Sequence, residues 1–157
     1  MRENFNIVLR FKNKFIQKDQ NYTEEFDTIE EHLELTKKNG YVWWGKFGRK
    51  LGQQKVDSTI TNLSRNLDVF LYLFSEDKCF KAKLGFITNE IDNINKEFVP
   101  SYYREFANEH CGTYFKITEI READYAYNLQ NLKLLSNPIK GSLLKAFTSQ
   151  QSYFFVE

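Results

Sequence analysis

Cysteine is scarce in this chain: Cys79 and Cys111 are the only two, and they form no Cys-x-x-Cys pair. That excludes a disulfide framework and a cysteine-based structural zinc site. A charge of one sign is missing as well. The 22 Lys and Arg nearly cancel the 21 Asp and Glu, leaving a net +1, so bulk charge cannot carry nucleic-acid binding and any such partner needs a local basic patch. No apolar run approaches the ~20 residues of a membrane span. Met1 to Arg10 carries charge at both ends without a long apolar stretch, unlike a secretory signal. The expectation is a cytoplasmic protein with no membrane partner, in which the sequons at Asn21 and Asn62 are chance matches. Walker, GxGxxG, GxSxG and HExxH motifs are absent. His32 sits mid-helix without a second histidine, and in Glu109-His110-Cys111 the thiol and imidazole are sequence neighbours, which seldom converge as nucleophile and base. The chain therefore reads as non-catalytic, with no cofactor and no metal.

Aromatics, by contrast, are abundant: 15 Phe, 9 Tyr and 2 Trp make up 17% of the 157 residues. A chain of this length is most economically one domain, able to bury roughly two-thirds of the surface its unfolded form exposes. So many rings imply a broad core and some rings left at the surface, where they can stack on a ligand. Codon bias in an AT-rich genome gives the same excess. Both tryptophans fall in Gly40-Tyr41-Val42-Trp43-Trp44-Gly45-Lys46-Phe47-Gly48-Arg49-Lys50. Strand alternation sends Trp43 and Trp44 to opposite faces, one into the core and one toward a helix, a groove or solvent. Lys46, Arg49 and Lys50 add positive charge beside this aromatic platform. A core strand with a solvated, cationic exit has the same sequence.

The remaining elements follow in chain order. Phe5 to Phe11 is a short strand with Phe5, Ile7, Leu9 and Phe11 on one face, and Lys12 to Glu25 reads as loop. Thr28-Ile29-Glu30-Glu31 resembles a capping box opening a helix that ends at Lys37-Lys38-Asn39-Gly40. Asp57 to Arg65 is a short helix. Leu67 to Phe74, the turn Ser75 to Lys78, and Cys79 to Ile87 make a β-hairpin with Lys81 and Lys83 on its polar side. Thr88 to Glu97 is a polar connector, Pro100 to Glu109 a helix entered at proline, and Tyr114 to Ile120 a strand. Leu129 to Leu135 reads as extended, Gly141 to Ser149 as a helix and Ser152 to Val156 as a terminal strand. The apolar finish before Glu157 suggests a single domain, 1–157, forming the N-terminal part of a longer multidomain protein.

This order of capped helix, Trp strand, basic glycine loop, apolar hairpin, Pro-Tyr-Tyr helix and Gly-Thr-Tyr-Phe-Lys-Ile-Thr-Glu-Ile strand resembles the PUA-like superfamily, especially its EVE and YTH-type branches, over about residues 40 to 135. The resemblance implies an α+β fold, a small curved or closed mixed β-barrel with peripheral helices. It also implies a reader of modified bases, holding the base in an aromatic cage beside a basic groove and often fused to a restriction or defence effector. Carried over by segment, Trp43 or Trp44 is the cage aromatic and Lys46, Arg49 and Lys50 contact the backbone. No later tryptophan exists to complete a two-Trp cage, so Tyr72, Tyr102 or Tyr103 must close it.

Two functions remain open on the sequence. One is a DNA- or RNA-binding reader using Trp43, Trp44, Tyr72, Tyr102 and Tyr103 for a base and Lys46, Arg49, Lys50, Lys81 and Lys83 for phosphates. The other is a ligand-sensing or protein-interaction domain that presents its aromatic surface to an apolar partner.

Overall fold

Alternating apolar strands and two amphipathic helices assemble around one long, strongly bent sheet. The computed structural model describes residues 4–18, 23–101, 110–135, 143, 147 and 153–156. The helix read over Pro100 to Glu109 therefore lies outside the described residues, as does most of the one over Gly141 to Ser149. The strands are β1 (Asn6–Arg10), β2 (Lys14–Lys18), β3 (Thr23–Asp27), β4 (Val42–Phe47), β5 (Phe70–Phe74), β6 (Cys79–Thr88), β7 (Cys111–Ala123) and β8 (Tyr153–Val156). The helices are α1 (Thr28–Asn39), α2 (Gln53–Ser64) and α3 (Tyr125–Asn131). Six strands form one sheet in the order β4-β7-β6-β5-β1-β8. All its pairings are antiparallel except β1 with β5, which is parallel. The second sheet is the hairpin of β2 and β3.

The alternation of each strand explains the layering. Ile7 and Leu9 of β1, Val42 and Trp44 of β4, Leu71 and Leu73 of β5, Phe80, Ala82 and Leu84 of β6 and Phe115 and Ile117 of β7 share one core with Ile29 of α1 and Val56 of α2. Tyr153 and Phe155 of β8 pack against the same core. Side chains from both edge strands thus meet in one interior, which requires the sheet to curl around it. The Lys46 Nζ on β4 lies 4.9 Å from the Tyr153 ring centroid on β8. No ladder joins those two edges among the described residues, so the α+β fold is a curved, open barrel with helices packed on it.

Several local readings shift. Asp27, not Thr28, caps α1: its carboxylate accepts from Glu30 N at 3.0 Å. Thr28 is the first helical residue, and its hydroxyl donates to the Lys12 carbonyl at 2.9 Å, tying the helix start to the preceding segment. The helix stops where expected, at Gly40 with φ 87°, a conformation that glycine adopts without steric cost. The stretch from Lys12 to Glu25 holds the β2–β3 hairpin and not only loop. Most of Leu129 to Leu135 is helix and its exit, because the Asp124 carboxylate caps α3 by accepting from Tyr127 N at 2.8 Å; Lys133 and Leu134 are strand-like, with Leu134 bridged to Val156. No helix among the described residues is long and apolar enough to cross a membrane.

Candidate functional site

Adjacent residues on β4 point to opposite sides of the sheet, and both tryptophans end up covered. Trp44 is 5% exposed and belongs to the main core. Its indole meets Phe11 edge-on at 5.3 Å between centroids and the His32 ring at 4.2 Å. His32 is itself buried, and its Nδ1 lies 2.7 Å from the Thr28 carbonyl oxygen, which places the ring proton on Nδ1. Burial without a counter-charge drives its pKa down to about 4, against the opposing pull of that carbonyl.

Trp43 is 4% exposed but lies on the outer face, in a small separate cluster with Val99 and Tyr114, flanked by Tyr41, Ile91, Phe98 and Cys111. Tyr41 stands edge-on to it at 6.2 Å and packs against Phe98 at 4.5 Å. Two 3₁₀ turns, Ile91–Asn93 and Lys96–Phe98, carry part of this lining. The Trp43 Nε1–H is buried and has no hydrogen-bond partner among the described residues. Buried donors are nearly always satisfied, so this one is exceptional.

The cations distribute unevenly. Lys46 is only 6% exposed and turns inward, its ammonium donating to the Arg49 carbonyl at 2.6 Å. Burial lowers its pKa, partly offset by Cys111. Arg49 and Lys50 are exposed on the loop that follows. That loop is fastened from behind: the Leu51 amide donates to Thr113 Oγ1 at 2.9 Å, Thr113 Oγ1 donates to Asn89 Oδ1 at 2.6 Å, and Asn89 Nδ2 donates to the Leu51 carbonyl at 2.8 Å. Gly112 makes the approach possible, since a Cβ there would lie 2.7 Å from the Lys50 nitrogen. Cys111 and Tyr114 share a side-chain hydrogen bond, and burial pushes the Cys111 thiol up to about 12. A thiol so firmly protonated is a poor nucleophile at neutral pH.

Tyr72 does not join Trp43. It belongs to another outer cluster, with Val8, Phe74 and Phe154, and burial raises its pKa. Lys81 lies over the rings of Phe70, at 4.2 Å, and of Tyr72, at 5.7 Å, and Lys83 is exposed on the same strand. Tyr102 and Tyr103 lie outside the described residues. Sequence reasoning missed Lys116, whose ammonium sits 4.3 Å over the Tyr41 ring, and Arg121, which pairs across the ladder with Lys81. Alternation counted outward from Phe115 would have marked Lys116; nothing local marks the Asn89–Thr113 clasp.

No curated protein and no solved structure matches the chain. A family model described as Pua-like matches residues 7–150, which takes in every strand of the main sheet except β8 and the start of β1, all three helices and the whole Trp43 cluster. The chain therefore belongs to the PUA-like family, whose members generally bind RNA or DNA and are typically non-catalytic.

Proposed function

We propose that this protein is a nucleic-acid reader that receives one extruded base, modified or not, against Trp43. The observation that carries the reading is the buried Trp43 Nε1–H without a partner among the described residues. A donor held dry inside an aromatic cluster costs roughly 1–3 kcal/mol while unpaired, and an acceptor on a bound base relieves that cost. Trp43, Tyr41 and Phe98 supply π-faces for stacking. The chain leaves Val99, in contact with this cluster, for Pro100-Ser101-Tyr102-Tyr103, which puts two further rings within a few residues of it. Entry of a base requires the 3₁₀ turns at 91–98 to move aside; their bonds, such as Asn93 N to Glu90 O and Phe98 N to Asn95 O, are local i to i+3 contacts with no ladder to break. Arg49 and Lys50 are the free ends of the basic loop for phosphate contact, whereas Lys46 acts as its internal brace. In this reading the domain is the specificity module of an effector that acts on nucleic acid, in keeping with the restriction and defence context that the EVE and YTH-type resemblance implies.

The apolar-partner alternative finds little surface to use. The large hydrophobic side chains exposed among the described residues are Phe47, Phe86 and Tyr127, on three different elements, and they form no contiguous patch.

Titration with short single-stranded oligonucleotides carrying modified and unmodified bases tests the proposal. Trp43 and Trp44 are the only indoles, so intrinsic fluorescence reads the site directly. Binding should quench emission in the natural chain, and Trp43→Phe, which keeps a ring but loses the donor, should weaken affinity about tenfold. Unchanged affinity for every oligonucleotide in Trp43→Phe would overturn the assignment.

A further inference from the structure

The outer face of the sheet is covered at two places, by the Trp43 cluster at one end and by the Tyr72–Phe74–Leu129 cluster at the other. Between them Lys83, Phe86, Glu119 and Arg121 are exposed. Ladder register fixes which side chains share that stretch. Lys81 stands opposite both Tyr72 and Arg121, Lys83 opposite both Phe70 and Glu119, and Lys116 opposite both Phe86 and Trp43. Cross-strand partners point to the same face, so three rows of side chains lie side by side on β5, β6 and β7. The register shifts between Lys83 and Phe86, and that irregularity turns Phe86 outward, leaving it 37% exposed.

Two properties single this strip out. Its charge is unbalanced in a chain whose total charge is nearly zero: Lys81, Lys83, Lys116 and Arg121 face a single carboxylate, Glu119, and none of the four cations forms a salt bridge among the described residues. Its cations are also seated. Lys81 is held over Phe70 and Tyr72, and Lys116 over Tyr41, a ring that touches both Trp43 and Phe98. The strip therefore runs from Lys81 to the border of the Trp43 cluster.

We propose that this face is the track for a single-stranded nucleic acid, with its phosphates on Lys81, Lys83, Lys116 and Arg121 and an unpaired base stacked on Phe86. The inference rests on the nucleic-acid reading above and adds the form of the partner and its path. Alternate residues along β6 repeat at about 6.6 Å, a spacing of the same order as that between phosphates of an extended strand. A surface mixing rings with cations suits unpaired bases, which expose their π-faces. A duplex hides those faces and is read by an element that enters a groove, which this surface does not offer.

Fluorescence anisotropy of the full chain with labelled oligo(dT), oligo(U) and a duplex of equal length tests the track. The natural protein should bind the single strands more tightly than the duplex. Lys81→Glu/Lys83→Glu should lower single-strand affinity at least tenfold and flatten the logarithmic salt dependence by roughly 1.4, about 0.7 for each lost phosphate contact. Phe86→Ala should lower affinity about tenfold without changing the salt slope. Lys81→Gln/Lys83→Gln, read beside a thermal melt, should show the same direction of change with the fold intact. If both lysine pairs and Phe86→Ala bind as the natural chain does while Trp43→Phe loses affinity, the track is wrong and the base site stands. A flattened slope with no Trp43 effect leaves the track and removes the base site. Tighter binding to duplex, or binding to an acidic peptide or anionic vesicles in place of oligonucleotides, overturns the track.

Discussion

Trp43 and Trp44 are the same residue type, consecutive in one strand and equally hidden from water, yet they sit in opposite circumstances. Trp44 is packed into the main core against Phe11 and His32, where its large apolar surface is used for stability. Trp43 occupies a minor cluster under two short 3₁₀ turns and keeps a donor unsatisfied among the described residues. The comparison teaches that exposure alone does not mark a binding residue: what separates the two indoles is whether the surroundings answer their chemistry.

The comparison breaks most visibly in a stability measurement. Trp44→Ala should cost about 3–5 kcal/mol in urea unfolding, the range for deleting a large aromatic from a packed core; a loss under 1 kcal/mol would mean that Trp44 does not anchor the core. Acid is the next probe, through the ring beside Trp44. The unfolded chain titrates His32 at 6.5 and the folded chain near 4, so between those values the unfolded state binds more protons. The contribution is fully present above about pH 6.5 and is lost as pH falls through that window, roughly 3 kcal/mol by pH 4. Unfolding curves from pH 7 to 4 check it, and His32→Leu should remove most of the slope. Thr113→Val, which leaves the Leu51 amide and the Asn89 carboxamide without their shared hydroxyl, should cost about 1–3 kcal/mol and loosen the 48–52 loop, read as faster amide exchange there. The smallest effect carries the opposite sign. Trp43→Phe should leave the protein as stable as before or about 1 kcal/mol more stable, since it deletes an unpaired buried donor. A clear loss of stability would place both indoles in the same role.

Local chemistry made much of the frame legible. The alternation of Phe5, Ile7, Leu9 and Phe11, the cationic Gly-terminated end of α1 and the apolar hairpin over 67–87 each state their own structure within a few residues, and each appears in the fold. What failed had long-range causes. Thr28 looks like a cap until Lys12, far back in the chain, takes its hydroxyl. Lys46 looks like a solvated cation until the curl of the sheet seals it beneath Tyr153. Tyr72 and Trp43 look like partners by residue type, but strand order sets β6 and β7 between them. The row of Lys81, Lys83 and Lys116 is dispersed in sequence and becomes a surface only through register.

The placement of β1 has a consequence for how the chain is made. Strand β1 lies between β5 and β8, both of which follow it in the chain. It cannot be flanked on both sides until synthesis has passed Val156. Until then Ile7, Val8 and Leu9 form an apolar strand with an open edge, the kind that pairs with neighbouring chains. A nascent chain stalled before residue 153 should therefore aggregate or recruit chaperones, and the four-residue strand β8 acts as the latch that ends that exposure.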